Sequence, residues 1–167
     1  YTATMGWRQG QPELSVVSDL LGMAVDLPSP LDKPASASWP MRYETTTVRN
    51  ASPRGSSGLQ DQLQFSLGQV LSARYWRDTS GPSPTVLRGW LQLGATNPAK
   101  DMPDGNTVAW QIRQPSLNLD DWQPVLNQWM GEDNATPSNS AGRSALASYM
   151  PQRIDLQTAS LTWSSRS

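Results

Sequence analysis

The chain has 167 residues, a formal net charge of −1, and neither cysteine nor histidine. Its length suits one domain with a real core, and its charge gives no electrostatic case for binding nucleic acid or an anionic membrane surface. Thiol nucleophiles, imidazole bases, disulfides and zinc sites of the usual Cys/His type are all excluded, and no apolar run approaches the 18 residues of a spanning helix.

Alternation at period two dominates from the start. "YTATMGW" places Tyr1, Ala3, Met5 and Trp7 on one face of a strand, Arg8-Gln9-Gly10 turns the chain, and "ELSVVS" is a second strand. Ser18-Asp19 offers cap-type side chains to the turn "DLLG", ahead of a strand predicted over Met23 to Leu27. Then come Pro28, Pro30, Pro34 and Pro40. Proline fixes φ and pushes the preceding residue towards extended backbone, so this stretch is expected to be a stiff strap along the sheet edge. In that strap Leu27 and Leu31 point inward and Lys33 lies in solvent. "MRYETTTV", Met41 to Val48, reads as a half-exposed strand.

The clearest hairpin is "DQLQFSLGQVLSARYW". A three-residue connection, Gly68-Gln69-Val70, sets Leu67 opposite Leu71, Phe65 opposite Ala73 and Leu63 opposite Tyr75, all on one side. A two-residue turn would mix apolar with polar positions, so the three-residue loop is predicted. "TVLRGWLQLGA" adds Leu87, Gly89, Leu91 and Leu93 on one face, and "TVAWQIRQ" adds Val108, Trp110 and Ile112. The period then becomes helical, with Leu119, Trp122, Val125, Leu126 and Trp129 forming a stripe. Asp120 is the expected N-cap, with Gln123 three residues on and Pro124 in the first turn. In the last strand, "QRIDLQTASLTW", the apolar positions shift from Ile154 and Leu156 to Ala159, Leu161 and Trp163, which implies a bulge or a change of face. Mobile loops are expected at about 49–58, 78–84, 96–106 and 131–144. The resulting fold class is mainly β with one amphipathic helix (α+β), built on an antiparallel, strongly twisted sheet.

Reactive chemistry is sparse. Asp120-Asp121 suits a helix start better than a metal or acid–base pair. Asp101, Asp104, Glu132 and Asp133 have no EF-hand spacing, so solvated turns are the simpler reading. "RGSSG", Arg54 to Gly58, lacks the lysine and the following helix of a phosphate loop, and the sequons at Asn50 and Asn134 are short. No catalytic, cofactor or metal residues emerge, and no enzyme motif is present. The unusual feature is eight tryptophans beside one phenylalanine. Trp76 and Trp90 fall opposite the apolar faces and are the candidates for exposure. They could serve a carbohydrate- or peptidoglycan-binding module, although packing at a sheet–helix boundary is the simpler reading.

The run Leu14 to Arg42 resembles a hallmark of the AsmA-like envelope proteins of the YhdP type. It carries Ser18, Asp19, Leu20 and Gly22, then Leu27, Pro28, Pro30, Leu31, Lys33 and Pro34, in a Leu-Pro-x-Pro-Leu-x-Lys-Pro pattern. "LRGWLQLG" and "SLNLDDWQPVL" follow in a similar order; Asp32 stands where a glycine is common. The resemblance implies a periplasmic segment of a longer chain, tethered to the inner membrane by a helix outside this sequence and docked to neighbouring segments of that chain. It also implies part of an extended β-groove that conducts phospholipid, with no catalytic residues and no cofactor. The candidate apolar groove face is Leu63, Phe65, Leu67, Leu71, Leu87, Leu91 and Leu93. A structural scaffold lined by the same leucines is the alternative.

Overall fold

The computed structural model describes residues 1–8, 11–48, 59–94, 105–130 and 147–163. The expected loops at 49–58 and 131–144, most of 96–106, the turn at Gln9-Gly10, the "RGSSG" stretch, both sequons and Asp101, Asp104, Glu132 and Asp133 lie outside these residues.

The alternating segments become β1 (Thr2–Arg8), β2 (Gln11–Ser18), β3 (Met41–Val48), β4 (Gln60–Leu67), β5 (Leu71–Asp78), β6 (Thr85–Gly94), β7 (Val108–Asn118) and β8 (Arg153–Thr162), and the helix α1 (Leu119–Met130) follows β7. They form a single sheet whose spatial order is the chain order. β1 to β6 pair antiparallel, whereas β6–β7 and β7–β8 are parallel. A parallel pair needs a long crossover, and α1 lies within the second of these. The period-two pattern carries no information on direction, so the parallel third of the sheet was not expected from it.

The predicted hairpin register holds: Leu67 pairs Leu71, Phe65 pairs Ala73 and Leu63 pairs Tyr75. Gly68 takes left-handed backbone (φ 52), and the Val70 N–H donates to the Leu67 carbonyl at 3.0 Å. At the other end of β5 the 78–84 connection is pinned to β4's approach by the Thr79 N–H on the Leu59 carbonyl, 2.7 Å. β8 pairs β7 in one register from Arg153 to Thr162, so its apolar residues change face without a bulge. The helix starts two residues earlier than predicted. Asn118 is the cap, its Oδ1 accepting the Asp120 N–H at 3.1 Å while its Nδ2 donates to Asp121 at 2.8 Å. Pro124 therefore sits in the second turn, where it has no N–H to return to the preceding turn.

The proline stretch departs most from expectation. Met23 to Leu27 is not a strand; only Val25 bridges, to Lys33, by reciprocal bonds of 2.9 and 3.0 Å. The segment folds back on itself, with the Gly22 N–H on the Ala35 carbonyl (2.8 Å) and the Trp39 N–H on the Asp19 carbonyl (2.7 Å). It sits beyond the strand ends, between β2 and β3, rather than along either edge strand. The turn at its entry is as predicted: Ser18 Oγ accepts the Leu20 N–H and Asp19 Oδ1 the Leu21 N–H, both at 3.1 Å. Leu20 (φ 51) and Gly22 (φ 86) are left-handed there. The Ser29–Pro30 bond is cis, and Leu27 and Leu31 are half-buried.

Lys33 is not in solvent: it is only 2% exposed. Its ammonium donates to the carbonyls of Leu20 (2.7 Å), Met23 (2.7 Å) and Pro34 (3.2 Å), using all three donors on backbone oxygen. A lysine between prolines reads as a surface residue, and only closure of the loop brings three carbonyls around it. Lys33→Met keeps the apolar stem but orphans those carbonyls. It is expected to cost about 2 kcal/mol and to expose the loop to protease, read by urea unfolding and limited proteolysis at 20–36. An unchanged urea midpoint with an intact loop would mean that water replaces the ammonium.

Candidate functional site

The register places one face of the sheet on a simple footing: residues paired across strands share a face, and so do residues two apart along each strand. Ala3, Val16, Tyr43, Phe65, Ala73, Leu91, Trp110 and Ile154 form one cross-strand row through all eight strands. On one side of it runs Met41, Leu67, Leu71, Leu93, Ile112 and Leu156; on the other, Met5, Leu14, Thr45, Leu63, Tyr75, Gly89 and Val108. The result is an apolar band three rows deep from β3 to β7, whose central row runs from edge to edge. Ala73, Tyr75 and Val108 are its buried centre, with Leu63, Phe65, Val86, Leu91, Trp110 and Tyr149 packed around them. Towards the edges the band opens: Met5 is 70% exposed and Ile154 56%.

Six of the seven predicted face residues, Leu63, Phe65, Leu67, Leu71, Leu91 and Leu93, lie in these rows. Leu87 does not join the central cluster. A register shift between Trp76 and Arg77 sets Arg77 opposite Val86, which takes that place. A bulge of this kind leaves no mark in the period-two pattern. Tyr149, missed by the sequence reading, lies in the short segment before β8 that has no periodic signal. Its ring meets Tyr75 edge-on at 5.0 Å. Gly89 makes room for Tyr75, because a Cβ there would stand 2.3 Å from the Tyr75 ring. Burial pushes the Tyr75 hydroxyl up to about 12, partly opposed by the Trp110 indole.

An ion pair borders the band. Asp61 and Arg77 are direct cross-strand partners on the apolar side. Arg77 Nε and Nη2 reach the two carboxylate oxygens at 2.8 and 2.5 Å, and Nη1 donates to the Tyr149 hydroxyl at 3.1 Å. Arg77 is 8% exposed. The geometry is the bidentate fork that a carboxylate suits.

The opposite face is polar, with Arg42, Glu44, Gln64, Arg74, Gln92 and Gln111 among its residues. Trp76, expected to be exposed, is buried: its cross-strand neighbour Arg88 lays its guanidinium 5.0 Å over the ring. Trp90 is half-buried. Among the indoles whose burial is described, the two most exposed, Trp7 and Trp163, belong to the opposite edge strands, Trp163 just past the end of β8. The described indoles therefore form no ladder. The described residues contain no group of three or more acidic side chains placed to hold a metal, and no helix long and apolar enough to cross a membrane. Asp120 and Asp121 stand in the first turn of α1, where Asp121 serves the cap. Of the motif residues, Ser18, Asp19, Gly22 and Lys33 build the loop's turns and cage, while Trp122 Nε1 of α1 donates to the Ser29 carbonyl between Pro28 and Pro30, 3.2 Å away.

An open eight-stranded sheet with one apolar and one polar face makes this a mainly β protein that presents an extended sheet surface. The family profile of the YhdP protein matches residues 3–167, and the chain belongs to that family. It is not known as a family of enzymes. Neither the curated proteins nor the solved structures include a match.

Proposed function

We propose that this segment is a non-catalytic part of an envelope-spanning lipid-transport protein, contributing its apolar sheet face to a phospholipid-conducting groove. The observation that carries the reading is the apolar band crossing every strand. Acyl chains gain about 0.8 kcal/mol for each methylene withdrawn from water. A band with no break across the strands lets a chain slide without re-entering solvent, while the headgroup stays wet. No bond is made or broken, so no cofactor is called for. The setting would be the periplasm, with the segment docked to neighbouring parts of the same chain and an inner-membrane anchor lying outside this sequence.

The test uses the full-length protein with a photo-crosslinking residue at Met5 or Ile154 on the apolar face, or at the exposed Gln157 on the other. Phospholipid adducts are expected several-fold more at Met5 and Ile154. Equal labelling at all three, or a lipid-free preparation by mass spectrometry, would leave a structural scaffold as the better account.

A further inference from the structure

The polar face carries a second feature that lipid conduction does not use. Glu44, Gln64, Arg74 and Trp90 are successive cross-strand partners on β3 to β6. Arg42 and Ser72 lie in the adjacent row, and together these residues line a groove of about 310 Å³, the lower end of small-ligand pockets. Its charges are unequal. Arg42 is held by Glu44 at 2.5 Å, whereas Arg74 meets only the neutral Gln64 Oε1, at 3.3 Å, and has no carboxylate partner among the described residues. Ser72 Oγ is buried and has no hydrogen-bond partner among them. A buried hydroxyl left in this way is costly, and a guanidinium with no carboxylate partner keeps donors to spare.

We propose that this groove binds a small carboxylated saccharide, a uronate-type ring. The half-buried indole of Trp90 offers an apolar plane for the C–H face of a sugar. The Arg74 fork suits a planar carboxylate. Gln64 and Ser72 supply donors and acceptors for ring hydroxyls, and Glu44 can accept from a further hydroxyl while it holds Arg42. A bare anion would use Arg74 but neither the indole nor the amide, and a neutral sugar would leave Arg74 unanswered. The site lies on the face opposite the apolar band, so its success or failure is independent of the lipid reading.

The test is a titration of the full-length protein with glucuronate, glucose and inorganic phosphate, followed by saturation-transfer NMR and by the Trp90 indole signal. Glucuronate should bind saturably at millimolar concentration, at least about tenfold tighter than either glucose or phosphate. Arg74→Gln should weaken it by about tenfold or more, and Trp90→Leu should abolish the ring-proton transfer. Ser72→Ala, a smaller change, should weaken binding without disturbing the fold and serves if the others unfold. No saturable response, equal affinity for glucose, equal affinity for phosphate, or glucuronate binding untouched by the folded variants would each overturn the proposal.

Discussion

Asp61→Ala should lower the unfolding free energy by about 3–5 kcal/mol. The carboxylate takes two hydrogen bonds from Arg77, which is almost wholly buried beside Tyr75 and Tyr149. Removing it leaves a guanidinium with only the Tyr149 hydroxyl among these partners, in a place where water cannot readily follow. The cost is that of an uncompensated charge and exceeds the net worth of the pair. The double change Asp61→Leu with Arg77→Met should therefore recover most of the loss, since it removes both charges and extends the apolar band. Urea unfolding of the three variants at unchanged m-value checks this. A loss below about 1 kcal/mol for Asp61→Ala would mean that the guanidinium swings out to solvent, as exposed pairs allow.

Gly94→Ala should cost about 4 kcal/mol, from left-handed strain and from overpacking together. Gly94 ends β6 at φ +101, and a Cβ built there would lie 1.7 Å from the Arg113 carbonyl oxygen. That oxygen belongs to the backbone of β7, in register with Gly94, so it cannot turn aside as a side chain would. The Gly94 N–H is also committed, donating to the Val70 carbonyl at 2.7 Å. Relief requires moving β6 away from β7, at the point where the antiparallel sheet joins its parallel part. Gly105→Ala is the control: its φ is +78, but nothing stands within 4 Å of the added Cβ. It should show backbone strain alone, about 1 kcal/mol. Loss of amide-exchange protection along Gly89 to Gly94 should accompany the first substitution and not the second.

Much of the sheet was legible in the sequence because side-chain alternation is local. Each strand needs only its own residues to declare an apolar side, and Gly68 needs only its neighbours to make the turn that fixes Leu67 opposite Leu71. Tyr1, Ala3, Met5 and Trp7 could be grouped for the same reason, and the structure sets that group in line with Leu63 and Phe65 four strands into the sheet. Other features depend on partners far along the chain. The parallel direction of β7 and β8 depends on how the chain returns between strands, which alternation does not record even where the helix in the second connection was legible. The exchange of Leu87 for Val86 follows from a shift that appears only when β5 and β6 are laid side by side.

Burial of the polar groups was the least legible. Lys33 and Trp76 were both read as surface residues from their surroundings in the sequence. Lys33 is enclosed by carbonyls contributed from Leu20, Met23 and Pro34, and Trp76 is covered by Arg88. The sequence by itself determined which side of each strand is apolar, where the chain turns and which family the loop from Ser18 to Pro34 resembles. Only the tertiary structure decided that those sides join into one band, and that a lysine belongs inside its loop. Alternation is written residue by residue, whereas the partners that make burial tolerable are brought together only by folding.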